Sequence, residues 1–315
     1  MEDISRLSDE AIIKKLPRKR DRWTKLSYMC LGFACIPILA FILFNGVPVL
    51  ISFISMFTNM ENNDITTMTW NNFENFKAVF ADPRFWKACG ITLWLASSQF
   101  VTLIIALIIS VLLEQKVKGA KAMQVLFFVP YICSTVAIAI MWQWVFSKDM
   151  GILNAILGQQ INWLNDVDMP MRLTWAVYIT ILWAAPAYGI VMFKAALKNV
   201  NPALYEAASL DGAGAFARFW HVTLPSIKSV TLFLLLASIT VGLGIFDQVK
   251  ILAPIQWTGV AGPDDMGLTL NYYIYLKGVQ GGEMEYAAVM SWFLFFITFA
   301  ATFFVIRERN KASEE

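Results

Sequence analysis

Histidine is nearly missing from this 315-residue chain, and its one copy is His221. That excludes a histidine-rich metal centre, an H-E-x-x-H zinc motif and a Ser-His-Asp triad. The four cysteines, Cys30, Cys35, Cys89 and Cys133, show no C-x-x-C spacing, so neither a disulfide framework nor a zinc site is expected. There is no G-x-x-x-x-G-K-S/T phosphate loop, so any ATP that serves this chain is hydrolysed elsewhere. Charge is scarce too. Charged residues make up 15% of the chain, against about 25% in soluble domains, and the mean hydropathy is +0.58. A water-soluble core fits these values poorly.

What the chain has instead is long windows free of charge, at 26–60, 88–113, 122–147, 173–193, 229–246 and 286–306. A spanning helix needs roughly 20 apolar residues, within a range of about 17–25. Five windows clear that length and the fifth in order, with 18 residues, just meets it. The reading is therefore an all-α polytopic membrane protein with six transmembrane helices. The first helix is placed within Ser27 to Phe57, where Pro37 and Pro48 are expected to bend or end it. Its apolar run is too long for a cleaved signal peptide and follows a polar segment.

Of the 25 Lys and Arg, 18 fall in the segment up to Lys25, the loops 114–121 and 194–228 and the tail from Arg307. The other seven share the loops 61–87, 148–172 and 247–285 with twelve Asp and Glu. The positive-inside rule then puts both termini in the cytoplasm, with the chain multi-pass in the membrane. The basic stretch Lys14 to Lys25 reads as an anchor beside anionic lipid, not as a nucleic-acid site. A short amphipathic stretch surrounds Ile12 and Leu16. The resulting division is a basic segment 1–25, a membrane domain 26–306 and a tail 307–315. Aromatics spaced through 61–87 predict short interfacial helices, and the glycine-rich 247–285 loop is turn-rich and external.

The inside loop 194–228 is longer than connection requires. Pro202 suits a helix first turn, Leu204, Ala207, Ala208 and Leu210 form a small apolar face, and Asp211 with Gly212 gives a break. A second amphipathic stretch holds Phe216, Phe219 and Trp220. Glu206, Ala207, Ala208, Asp211, Gly212, Ala213, Phe219, Val222, Leu224 and Pro225 together resemble the cytoplasmic EAA loop of binding-protein-dependent ABC permeases. That loop has Glu-Ala-Ala, a glycine four residues on and an Ile-x-Leu-Pro ending, and only Val222 departs from it. Small alanines let a short helix seat in a partner's groove, Gly212 allows a sharp turn, and Glu206 can pair with a basic group there. Composition alone also allows an interfacial helix.

The resemblance runs from about Trp70 to Ile306 and is to carbohydrate-uptake permeases of the maltose type. Phe73, Phe76, Asp82, Phe85, Trp86, Pro130, Trp142, Gly151, Asn154, Phe246, Asp247, Gly262, Pro263, Tyr286, Ala287 and Ala288 carry it, with a looser match from Trp257 to Pro263. It implies a type I ABC importer permease architecture and half of a pathway for a carbohydrate. The implied partners are a second permease subunit in a heterodimer, two ATP-binding cassette subunits and an extracellular solute-binding protein. ATP and Mg would sit in the cassette subunits, with no cofactor in this chain.

For the substrate path, the family places contacts on the helix after the docking loop, where Ser238, Val241, Gly242 and Ile245 share one face at helical spacing. Ala184 and Ala185 before Pro186 narrow and interrupt the fourth span, and Gln99, Gln143, Trp183 and Tyr188 are further candidates. Each has an alternative, since small residues in spans also serve helix packing and Trp or Tyr near span ends also form interface belts. Asp247 is expected to terminate its helix at the outer interface. No ionisable group falls in the six windows, against an ion-coupled transporter. A channel or scaffold, or a permease for another polar solute, stays as the alternative.

Overall fold

The computed structural model describes residues 25–60, 64–114, 119–253 and 259–314. The stretch around Ile12 and Leu16, the basic residues before Lys25, and Trp257 lie outside the described residues. The chain forms two compact units, Met1–Ile54 and Ser55–Glu315.

In the first unit α1 (Lys25–Phe41) runs through a π-helical turn (Ile42–Gly46) into α2 (Val47–Ser55). Neither Pro37 nor Pro48 ends the helix, which gives a 28-residue apolar stretch from Tyr28 to Ser55 of mean hydropathy 2.4. The reason lies in the π turn. Pro48 has no N–H and its ring crowds the carbonyl one turn back, and the wider turn before it, closed by Val47 N–H on the Ile42 carbonyl, makes room.

The second unit opens with a two-residue antiparallel ladder, β1 (Thr58–Asn59) on β2 (Thr69–Trp70), then α3 (Glu74–Ala81). Phe57, Trp70, Phe73 and Phe76 stack into one ring cluster there. Phe85 and Trp86, expected in a short interfacial helix, instead belong to the first turns of the 32-residue α4 (Pro83–Glu114). α5 (Ala120–Ile132) and α6 (Thr135–Val145) follow, then a short α7 (Ile152–Leu157). α8 (Met171–Ala184) continues through Ala185 into α9 (Pro186–Lys198). The remaining α-helices are α10 (Pro202–Leu210), α11 (Ala215–Arg218) and α12 (Leu224–Ser226) in the 194–228 segment, then α13 (Lys228–Leu243), α14 (Asp247–Leu252), α15 (Leu270–Tyr275) and α16 (Met284–Glu314).

Among the described residues five helices are long and apolar enough to cross a membrane, and a sixth crossing exists if α5 and α6 count as one. Those two meet at 102°, so the 122–147 window is a broken element and not the straight span its length suggests. Cys133 and Ser134 are extended at the break, which follows the last turn after Pro130. The fifth span also differs from expectation. α13 stops at Leu243 and Asp247 opens α14, where an acid favours the helix N-terminus, so the apolar stretch runs on to Leu252 and includes Asp247 and Lys250. Lys250 Nζ lies over the Tyr275 ring at 4.2 Å, an interaction that offsets the cost of a charge near apolar surroundings.

Lipid offers helices no hydrophobic drive to associate, so close backbone approach has to hold them together. α4 is the central strut. Ala106 meets Gly189 of α9, where an added Cβ would fall 2.8 Å from the alanine methyl, and Ala96 meets Gly242 of α13, where it would fall 3.1 Å away. Around these crossings the core is built from Phe85, Leu95, Leu173, Val177 and Met290 on one side and Phe193, Ile227 and Leu234 on the other.

Candidate functional site

The first candidate is the segment between the fourth and fifth spans. Asn201 caps α10 (Pro202–Leu210), its Oδ1 accepting from the Ala203 N–H at 3.0 Å with Pro202 in the first turn. The helix then ends in a Schellman turn. Ala213 N–H donates to the Ala208 carbonyl at 2.9 Å and Gly212 N–H to Ser209 at 3.1 Å, with Gly212 left-handed at φ +79°. Asp211, between them, is exposed. The glycine is required by its backbone angle and not by crowding, because a Cβ added there meets nothing within 4 Å.

After Gly214 the chain is helical almost without interruption. α11 (Ala215–Arg218), a π turn (Phe219–Thr223) and α12 (Leu224–Ser226) lead through Ile227, whose carbonyl accepts from Thr231 N–H, into α13. Pro225 follows its π turn as Pro48 follows the earlier one, and for the same steric reason. Two polar contacts fasten α10 to this rod: Tyr205 Oη with Thr223 Oγ1 at 3.0 Å, and Arg218 donating to Ser209 Oγ at 3.0 Å.

The docking residues read from the sequence divide by exposure. Glu206, Ala207, Asp211, Gly212 and Pro225 are exposed, while Ala208, Ala213, Phe219, Val222 and Leu224 are half-buried. Leu210 and Phe216, assigned from the sequence only to the apolar faces of short helices, are instead 90% and 77% exposed. Two large apolar side chains therefore stand out from the protein beside the turn.

The second candidate is a cavity of about 250 Å³ near the middle of α4, the α8–α9 span and α13, with Tyr131 of α5 on one wall. Of the predicted path residues, Gln99, Ala185, Tyr188, Ser238 and Val241 line it. The others do not. Gly242 faces Ala96 across a helix crossing, so its missing side chain makes room for backbone and not for a solute. Ile245 lies beyond the end of α13 and is buried in the core, so it does not share the Ser238 face. Ala184 is not among the lining residues, Trp183 packs edge-on to Trp142 at 5.8 Å, and Gln143 donates to the Ile251 carbonyl at 3.3 Å. The fourth span is not interrupted at Pro186: Ala185 keeps helical angles and its bond to Ile181.

Thr102, Tyr131 and Gly189 also line the cavity and were missed. Thr102 carries a signal that only the structure reveals, since its Oγ1 is buried without a hydrogen-bond partner among the described residues. Tyr131 and Tyr188 stack with ring centroids 6.1 Å apart.

A polar knot holds the other end of α4. Asp82 caps this helix through Arg84 N–H at 2.9 Å, and its Oδ2 accepts from the hydroxyls of Tyr273 and Tyr286. Burial pushes the Asp82 carboxyl up, but the bonds from Tyr273, Tyr286 and Arg84 outweigh it and leave the group below its usual value. Beside it Arg84 pairs with Asp265 at 3.2 Å and Lys87 with Asp264 at 2.8 Å, pinning the 259–267 loop, where both aspartates have positive φ, to the start of α4.

Residues 102–308 match the model of a family described as binding-protein-dependent transport system inner membrane component. Protein LplB of Bacillus subtilis (strain 168) is 32% identical over 292 residues, 87% of this chain and 84% of its own length. The lactose transport system permease protein LacF of Rhizobium radiobacter is 31% identical over 248 residues, covering 75% and 80%. A chain of a bacterial alginate ABC transporter, solved in complex with an alginate pentasaccharide-bound periplasmic protein, superposes with a TM-score of 0.76 at 20% identity over 89% of this chain and 93% of that one, a likeness of fold.

Proposed function

The chain belongs to the family of binding-protein-dependent transport system inner membrane components, and from that premise we propose that it is one permease subunit of an ATP-driven importer for a carbohydrate. In this reading a second, different permease subunit completes the pathway, two ATP-binding cassette subunits bind ATP and Mg, and an extracellular solute-binding protein delivers the sugar. Both termini and the 194–228 segment face the cytoplasm of a bacterial cell. The chain itself performs no chemistry.

The observation that carries the proposal is the continuity between the two candidate sites. A helix end with outward apolar residues, held in a fixed turn at Gly212, joins through α11 and α12 to α13, and α13 supplies Leu234, Ala237, Ser238 and Val241 to the cavity wall. A push on the segment is therefore delivered along a stiff helix to the middle of the membrane, where transport sites are built. The lactose named for a similar protein supports a sugar as cargo. The test is reconstitution of the whole complex in proteoliposomes with ATP inside and binding protein outside. ATP-dependent accumulation of a labelled sugar is expected, and ATP-independent equilibration alone would make the protein a channel.

A further inference from the structure

The cavity has a property that the family resemblance does not supply: its walls carry no fixed charge. Among the described residues that line it there is no Lys, Arg, His, Asp or Glu. The basic residue further along α9, Lys194, is not one of the lining residues, and its amine is engaged by Gln124 Oε1 at 2.5 Å. A carboxylate or phosphate brought to this depth would lose its hydration without meeting a counter-charge from this chain, and an unpaired buried ion is strongly disfavoured.

A neutral sugar meets matched chemistry instead. Gln99 offers an amide and Ser238 a hydroxyl. The stacked pair Tyr131 and Tyr188 adds aromatic surface for the apolar C–H face of a sugar ring. Size narrows the occupant further. At about 250 Å³ the cavity falls just below the roughly 300–1,000 Å³ of pockets that enclose a whole drug-sized ligand.

We infer that this cavity admits an uncharged sugar one ring at a time, and that it discriminates against carboxylated and phosphorylated solutes. The inference rests on the carbohydrate reading proposed above and adds the charge class and the size of the unit held.

The test bypasses the binding protein, which would impose its own selectivity. The intact permease–ATPase complex in lipid nanodiscs is incubated with lactose or digalacturonate, each carrying a diazirine, illuminated and digested, and labelled peptides are identified by mass spectrometry. Lactose is expected to label peptides containing Tyr131 or Tyr188 at least about tenfold more than digalacturonate. Ala237→Lys, which places a cation on the wall, is expected to reverse that preference, while Ala237→Gln keeps it and controls for bulk. Equal or greater labelling by digalacturonate in the wild type overturns the charge discrimination. Labelling by neither sugar removes the cavity from the path. Both results leave the importer reading standing if proteoliposomes still accumulate sugar, and failure of that accumulation is what removes the reading.

Discussion

Gly212→Val isolates one physical quantity, the backbone angle at the end of α10. At φ +79° an L residue is strained, by about 1–2 kcal/mol for an ordinary side chain and by up to about 3 for a poorly tolerated one. No steric clash contributes, because a Cβ there meets nothing within 4 Å. The strain can be relieved only by releasing the Ala213 to Ala208 and Gly212 to Ser209 bonds, which together hold the turn. With about 1.4 kcal/mol per factor of ten, a cost of about 2–3 kcal/mol lowers the population that keeps the turn by roughly 30- to 140-fold. Uptake in proteoliposomes and binding protein-stimulated ATPase activity are expected to fall together, with solute capture by the binding protein unchanged. Gly212→Asn is the control, since asparagine tolerates the left-handed region, and it should retain most activity. The reasoning is refuted if the valine variant assembles and imports at the normal rate. It is refuted equally if asparagine and valine are impaired alike, because the defect would then follow the presence of a side chain at the surface and not the angle.

The other predictions concern the spans and the polar knot. Gly242→Trp should lower the yield of folded, monodisperse protein in size-exclusion chromatography, because the ring has to enter the Ala96 crossing; normal yield with blocked uptake would return Gly242 to the solute path. Tyr188→Ala should leave assembly intact and reduce sugar uptake at least about tenfold, and unchanged uptake would remove the stacked tyrosines from the site. The Asp82 carboxylate, held below its ordinary value of 3.8, contributes stability that is complete above that value and lost as pH falls through the lower folded value. Thermal unfolding of Asp82→Asn should therefore show a smaller loss of Tm below pH ~4 than wild type, and parallel curves would refute the assignment. With native cysteines replaced, Ser313→Cys should react with a membrane-impermeant maleimide only from the cytoplasmic side, and labelling in intact cells would reverse the topology.

The apolar windows, the family and the turn at Gly212 were legible in the sequence because each depends on local information. Hydropathy is summed along a window, and Asn201, Pro202 and Gly212 specify a cap, a first turn and a left-handed end within a few residues of themselves. Aromatics in 61–87 likewise announced order, although the boundary between α3 and α4 fell at Asp82 and not beyond Trp86. What the sequence did not settle is direction and facing. Hydropathy does not distinguish a straight crossing from the 102° break after Ile132, and Pro130 within the window marks only where a bend can fall. Ser238 and Gly242 are one turn apart on α13, yet one lines the cavity and the other closes a helix crossing, because Ala96 stands opposite only the second. Helical spacing could not include Ile245 once the helix stopped at Leu243. Thr102, Tyr131 and Gly189 meet Ser238 only because α4, α5, α9 and α13 are packed together. Periodicity thus ranks the faces of one helix, whereas a cavity is a property of several helices at once, set by where their small residues let the backbones approach.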